Sequence, residues 1–298
     1  MKYFVASDED RRLDAATRRT LRGGFVALSD GVTHYELTGP AHGALAVLVG
    51  GITIPLSYWD GFAARLHARG LRTLTCSAYG RGYSDRIEGP YDEALFVRQA
   101  NELTTALGLT GPHHVVGTSM GALVAMAYAN RYPEAVATLT VVGPAGLGER
   151  PRPQRLLRND VVAGIVARRF GRKLLEGHLG HNVRDPDLSA ELVAMVRDAY
   201  RYEGSLYAFF RTLQDFPLYA REELFRRTGT LGLPVLLLWG DDDQVTPITH
   251  LGTVTALLHP RQTHVLTACG HMAPYERPDD AGDLLASFAV PHSDRLAP

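Results

Sequence analysis

The stretch Val115-Val116-Gly117-Thr118-Ser119-Met120-Gly121, running on into the helical pattern Ala122 to Ala129, decides the fold of this chain. An apolar run, a sharp turn carrying a serine, and a helix follow one another directly. A nucleophile on a strained strand-to-helix turn projects its hydroxyl into open space, and glycines on either side avoid Cβ clashes. The same turn aims the first amides of the helix at a developing oxyanion. A bare G-x-S-x-G is weak in a chain with 30 glycines among 298 residues, so the reading rests on what surrounds it.

That arrangement predicts the chain order serine, acid, histidine, with the acid after one late strand and the histidine after the next. The buried run Val235 to Trp239 empties into Gly240-Asp241-Asp242-Asp243-Gln244-Val245-Thr246-Pro247. The run His264-Val265-Leu266 then leads to Cys269-Gly270-His271-Met272, ahead of a helix that starts near Pro278. Both partners therefore lie on loops at strand ends.

These three loops resemble the signature loops of the α/β-hydrolase superfamily, and the similarity extends roughly over residues 25 to 290. The stretch Val47 to Gly70, followed by Tyr79-Gly80-Arg81-Gly82-Tyr83-Ser84-Asp85-Arg86, resembles the lipase and esterase-like branch, which typically reads HGxxxxxxxW and D-x-x-G-x-G-x-S. In that superfamily the acid stands three residues after the glycine of its loop, which selects Asp243 over Asp241 and Asp242. The resemblance implies that Ser119 attacks an acyl carbonyl and that His271 shuttles the proton. Asp243 would fix the imidazole tautomer. It further implies an oxyanion site made by the amide of Met120 and a second amide after the strand Ala44 to Val49, for which Ile52 is the candidate. The serine argues against the aspartate-nucleophile dehalogenases and epoxide hydrolases of this fold.

Three positions depart from the family pattern. Gly50-Gly51 stands where His-Gly is usual, Ser77 replaces the aspartate of the D-x-x-G-x-G-x-S loop, and Ala122 replaces a second glycine after the elbow. The first two remove hydrogen-bonding groups near the active-site floor and are expected to loosen the oxyanion site. Two readings follow. One is an esterase, or a carbon-carbon hydrolase, of a small and largely apolar molecule. The other is a non-hydrolytic enzyme on the same scaffold, such as a lyase eliminating an acyl group or an acyltransferase. A module that binds ligand without turnover is a third class, against which an intact triad argues.

Apolar runs at Val32 to Leu37, Ala44 to Val49, Arg72 to Cys76, His114 to Gly117, Thr138 to Val142, Val235 to Trp239 and Thr263 to Leu266 predict strands. Helical patterns at about 60–69, 92–107, 120–130, 250–258 and 278–288 alternate with them. The expected fold class is therefore α/β, a mostly parallel sheet with helices on both faces. The alternation breaks between Pro144 and Gly232, where amphipathic stretches such as Leu188 to Tyr202 replace strands. The expected organisation is a hydrolase core at 1–144 and 232–298 with a helical lid inserted at 145–231, the place where the superfamily puts a lid. Arg150-Pro151-Arg152-Pro153 is a stiff hinge candidate.

Composition is that of an ordinary globular enzyme, with 45% hydrophobic and 21% charged residues. Thirty-one Lys and Arg against 32 Asp and Glu give no global field for nucleic acid or an anionic membrane. A small-molecule substrate, no nucleic-acid or membrane partner and no cofactor are the expectations. The start of the chain carries no secretion signal and no stretch approaches the ~18 apolar residues of a span, so a cytoplasmic location is expected. Cys76 and Cys269 are read as free thiols. Tyr58 and Trp59 are expected to pack the first helix, and His113 and His114 to lie at a surface or strand edge. Asp241, Asp242 and the pairs Arg168-Arg169 and Arg226-Arg227 read as solvated. His178 and His181, three apart, imitate a metal pair without other ligands, and no metal is expected. Tyr200, Tyr202, Tyr207, Phe209 and Phe210 read as lid core, with one or two lining a substrate channel.

Overall fold

The computed structural model describes residues 1–179 and 182–293. Eight strands, β1 (Gly24–Ala27), β2 (Val32–Thr38), β3 (Leu45–Val49), β4 (Arg72–Cys76), β5 (His113–Thr118), β6 (Val136–Val142), β7 (Val235–Gly240) and β8 (Gln262–Leu266), form one sheet. Their order is β1-β2-β4-β3-β5-β6-β7-β8, with β2 antiparallel to both its neighbours and β3 to β8 parallel. Every residue of β5 and β7 is buried, as continuous apolar runs in a parallel sheet require. The α/β class and the seven predicted strands hold. β1 went unrecognised because Gly24–Ala27 is a half-buried edge strand of four residues, too short to show a period.

Helices cover both faces. Asp60–Ala68 and Pro278–Ser293 pack together on one, and Glu93–Ala106, Met120–Arg131, Glu222–Gly229 and Leu251–Leu258 pack in succession on the other. The start of Glu93–Ala106 is fixed by Asp92, whose carboxylate accepts from the Leu95 amide. His113 and His114 correct the expectation of a surface edge. β5 is an interior strand, so both are buried, and His114 Nδ1 bonds Thr138 Oγ1 on β6 at 2.9 Å.

Between β6 and β7 the chain makes the helices Arg152–Leu156, Asp160–Leu179, Pro186–Ala199, Ser205–Asp215 and Glu222–Gly229. The last joins the core layer, where Phe225 is buried and Thr228 Oγ1 accepts from Asn130 Nδ2 at 2.7 Å. The others form a helical insertion beyond the carboxyl ends of the strands, which is where ligands bind in open α/β sheets. The N-terminal segment anchors it. Buried Glu9 accepts from the amides of Gly204 and Leu206, at the start of Ser205–Asp215. Among the described residues no helix is long and apolar enough to cross a membrane.

Candidate active site

Ser119 stands at φ 55° and ψ −120°, a conformation few side chains tolerate, between β5 and the helix Met120–Arg131. The elbow glycines are there for space. A Cβ on Gly117 would lie 2.3 Å from Gly121 O, and one on Gly121 would lie 2.2 Å from Val49 O. The strained turn is thus wedged between its own helix and the end of β3. Among the described residues the Ser119 hydroxyl has no hydrogen-bond partner, and it lines a cavity of about 410 Å³. Met120, the first helical residue, has an amide with no intrahelical acceptor.

Asp243 and His271 meet at the ends of β7 and β8, with His271 Nδ1 2.8 Å from Asp243 Oδ2. Both side chains are shut away from solvent, at 0% and 1% exposed. Burial alone would raise the Asp243 carboxyl. The bond and charge of His271, with the amide and hydroxyl of Thr246, outweigh burial and hold it below the usual carboxylate range. Asp243 Oδ1 also accepts from the Val245 and Thr246 amides at 2.9 and 2.8 Å. Its neighbours point elsewhere. Asp241 accepts from the Cys269 amide, and Asp242 from Gln244 Nε2.

One loop joins the serine to this pair. Ser119 N donates to Val142 O, Ala145 N donates to Ser119 O, and between them Gly143 packs on the pair. A Cβ on Gly143 would lie 3.0 Å from Asp243 Oδ2 and 3.4 Å from His271 Nδ1. The insertion also contributes. The Asn182 carbonyl accepts from the His271 and Met272 amides at 2.9 and 3.1 Å, and Glu276 holds the Gly270 amide. Gly143 and Asn182 escape sequence reading because their partners are remote in the chain, and so does the reach of Thr246 to His271 and Gly143. Only the G-x-x-D spacing hints at Thr246.

The departures at Gly50 and Ser77 both have close neighbours. Beside Gly50, Ile54 occupies the space for a side chain, its Cγ1 3.0 Å from where a Cβ would be. Ser77 Oγ bonds His34 Nδ1 at 3.0 Å, and Ser77 O accepts from Ser84 Oγ at 2.6 Å. Gly51 packs on Ser119, and Ile52 lines the cavity next to it. Arg81, fully buried, braces that loop. Its Nε donates to Ile52 O at 2.8 Å, Nη1 to Tyr79 O at 2.9 Å, and Nη2 to Thr212 Oγ1 at 2.7 Å on the helix Ser205–Asp215. A guanidinium from the next loop thus ties the Ile52 backbone to the helical insertion.

The cavity walls are Phe209, Phe210, Leu157, Leu174, Leu213 and Leu218, with Gln154, Tyr219, Gln244, Thr246, His178 and His250 as polar points. No Lys or Arg is among the described residues that line it. Of the five aromatic residues expected in the insertion, Phe209 and Phe210 line the cavity and Tyr200, Tyr202 and Tyr207 do not, all five being buried. Tyr58 and Trp59 pack in the core, and both cysteines are free thiols. His178 is a wall residue of the cavity, and His181 lies outside the described residues.

The sequence model of the α/β-hydrolase fold family matches residues 44–278. The chain belongs to that family. A 2-hydroxy-6-oxo-6-phenylhexa-2,4-dienoate hydrolase of Burkholderia cepacia is 28% identical over 230 residues, 74% of this chain and 78% of that one. A thermophilic esterase from Thermogutta terrifontis superposes with a TM-score of 0.78 at 20% identity, covering 91% of this chain and 99% of the esterase. An enol-lactonase from Burkholderia xenovorans LB400 gives 0.74 at 19% identity, covering 90% and 100%. This member of the family is an enzyme of the hydrolase type acting on small molecules.

Proposed function

We propose that the protein is a serine hydrolase that cleaves an ester of a small, largely apolar molecule through an acyl-enzyme. The observation that carries this reading is the strained Ser119 with its free hydroxyl in an apolar cavity, beside a buried and hydrogen-bonded Asp243–His271 pair. Ser119 Oγ attacks the carbonyl carbon while His271 takes its proton. His271 then gives that proton to the departing alkoxide, and a water activated by the same imidazole releases the acid. Asp243 accepts from Nδ1–H, which keeps Nε2 as the basic nitrogen and steadies the imidazolium. The Met120 and Ile52 amides hold the oxyanion. The helical insertion acts as a lid, and the site needs no cofactor or metal for this chemistry. The expected partner is a small molecule rather than a nucleic acid, and the expected setting is the cytoplasm.

Cleavage of a carbon-carbon bond, as the name of the Burkholderia cepacia relative describes for that enzyme, is the second reading. A dienoate brings a carboxylate into the cavity, and the described lining supplies no cation to meet it. That favours an uncharged ester. The contacts of Ile54 beside Gly50, of His34 with Ser77 and of Arg81 with Ile52 favour hydrolysis over the lyase or acyltransferase alternative.

Intact mass after treatment with a small fluorophosphonate tests the reading. One adduct on the native chain and none on Ser119→Ala is expected, with turnover of a p-nitrophenyl ester falling at least ~10⁴-fold in the variant. Equal turnover by Ser119→Ala would remove Ser119 as nucleophile. Faster turnover of the dienoate than of any neutral ester would select the second reading.

A further inference from the structure

The helical insertion wears apolar residues on its outside. In the helices Arg152–Leu156 and Asp160–Leu179, Leu156 is 65% exposed, Val161 69%, Ile165 58%, Phe170 52% and Leu174 47%. Of the eight large hydrophobic residues exposed among the described residues, six fall between 156 and 174, so the exposure is concentrated on this insertion. Helices of a folded domain ordinarily turn polar residues to water.

The same stretch is the basic pole of the chain. Residues 150–173 hold eight Arg and Lys against a single acid, Asp160, in a chain whose formal net charge is −1. Asp160 is itself engaged by the N-terminal ammonium and by Arg211. Among the described residues, exposed Arg152, Arg158, Arg169 and Lys173 enter no ion pair. On the helix Asp160–Leu179, exposed Val161, Ile165, Arg169 and Lys173 follow one another at four-residue spacing, so apolar side chains and cations share one outward face. Leu174, further along the same helix, lines the cavity.

We propose that this face docks on the surface of an anionic lipid bilayer, its apolar side chains seated at the headgroup boundary and its cations among acidic headgroups. A helix bearing exposed apolar residues with Lys and Arg is suited to that interface. The cavity, walled in part by the same helix, then lies near the membrane, where apolar esters concentrate. Docking of this kind needs no spanning helix. A symmetric contact with a second copy would set the same cations against themselves, and a nucleic acid would leave the apolar side chains unmatched.

Docking does not depend on Ser119, so its test is separate from that of the proposed reaction. The full chain is sedimented with phosphatidylcholine vesicles with and without phosphatidylglycerol, at low and high salt. Binding is expected only to the anionic vesicles, weakened by salt. Arg158→Ser combined with Arg169→Ser should weaken it about 25-fold, roughly fivefold per charge. Val161→Ser with Ile165→Ser should weaken it at every salt concentration, and neither pair lines the cavity, so turnover of a water-soluble ester should be retained. No binding to anionic vesicles, or binding that ignores both pairs, overturns the proposal. So does a dimer in light scattering that Val161→Ser with Ile165→Ser dissociates, since the face is then a self-association surface.

Discussion

Gly50 shows how a departure from a family pattern is settled by its neighbours. Read alone, a missing imidazole beside the nucleophile suggests a weakened site. In the fold the position is tight, since Ile54 Cγ1 and Cδ1 would lie 3.0 and 3.2 Å from a Cβ there and would have to shift. Restoring the family residue by Gly50→His should therefore cost about 1–3 kcal/mol through overpacking, and should lower activity by shifting the loop that carries Ile52. Urea unfolding alongside ester kinetics checks this, and a variant as stable and as active as the native chain would refute it. The serine, aspartate and histidine positions were legible because each follows a strand in a fixed order. Gly50 was legible only as an oddity.

Among the elements, Arg81 is the link between two structures that sequence reading treats apart. Its guanidinium joins the loop holding Ile52 to the helix Ser205–Asp215, whose Phe209 and Phe210 wall the cavity. Burial lowers its proton affinity, opposed by the neighbouring Tyr200 and Tyr91, and among the described residues it has no carboxylate partner. It is held by three neutral acceptors instead. We predict that Arg81→Met lowers kcat about 10²-fold or more with a much smaller change in KM, because a mobile Ile52 amide fails the transition state before it fails binding. Arg81→Lys should not rescue, since one ammonium cannot span three separated acceptors. Thr212→Val keeps the bond to Ile52 and should cost far less. Equal losses in Thr212→Val and Arg81→Met, or a loss confined to KM, would reduce Arg81 to a packing role. The motif spacing hid this residue, because Arg81 stands at a position where the pattern accepts anything.

For the molecule as a whole, buried histidines tie stability to pH. His34 is 1% exposed and bonded to Ser77, and burial holds its imidazole at about 4, against an ordinary 6.5. The unfolded chain takes up that proton near 6.5 and the folded chain does not until about 4. The contribution of neutral His34 is thus complete above 6.5 and lost as pH falls between the two, by at most about 3 kcal/mol. His113, also lowered by burial, acts in the same direction. Melting from pH 7.5 to 4.5 should show a shallower acid decline in His34→Gln than in the native chain, and parallel curves would exclude His34 as a source. The charge balance teaches a related lesson, since a near-neutral total concealed a basic, apolar face on one insertion. The sequence by itself determined the α/β class, the strand-turn-helix around Ser119 and the order of the three loops, because these follow from local patterns of apolar runs and turn residues. The tertiary structure alone decided what stands in place of the absent imidazole, which remote groups hold the Asp243–His271 pair, and which apolar side chains lie exposed beside the basic stretch. Those are contacts between residues distant in the chain, and nothing in local periodicity encodes which distant side chain will fill a given space.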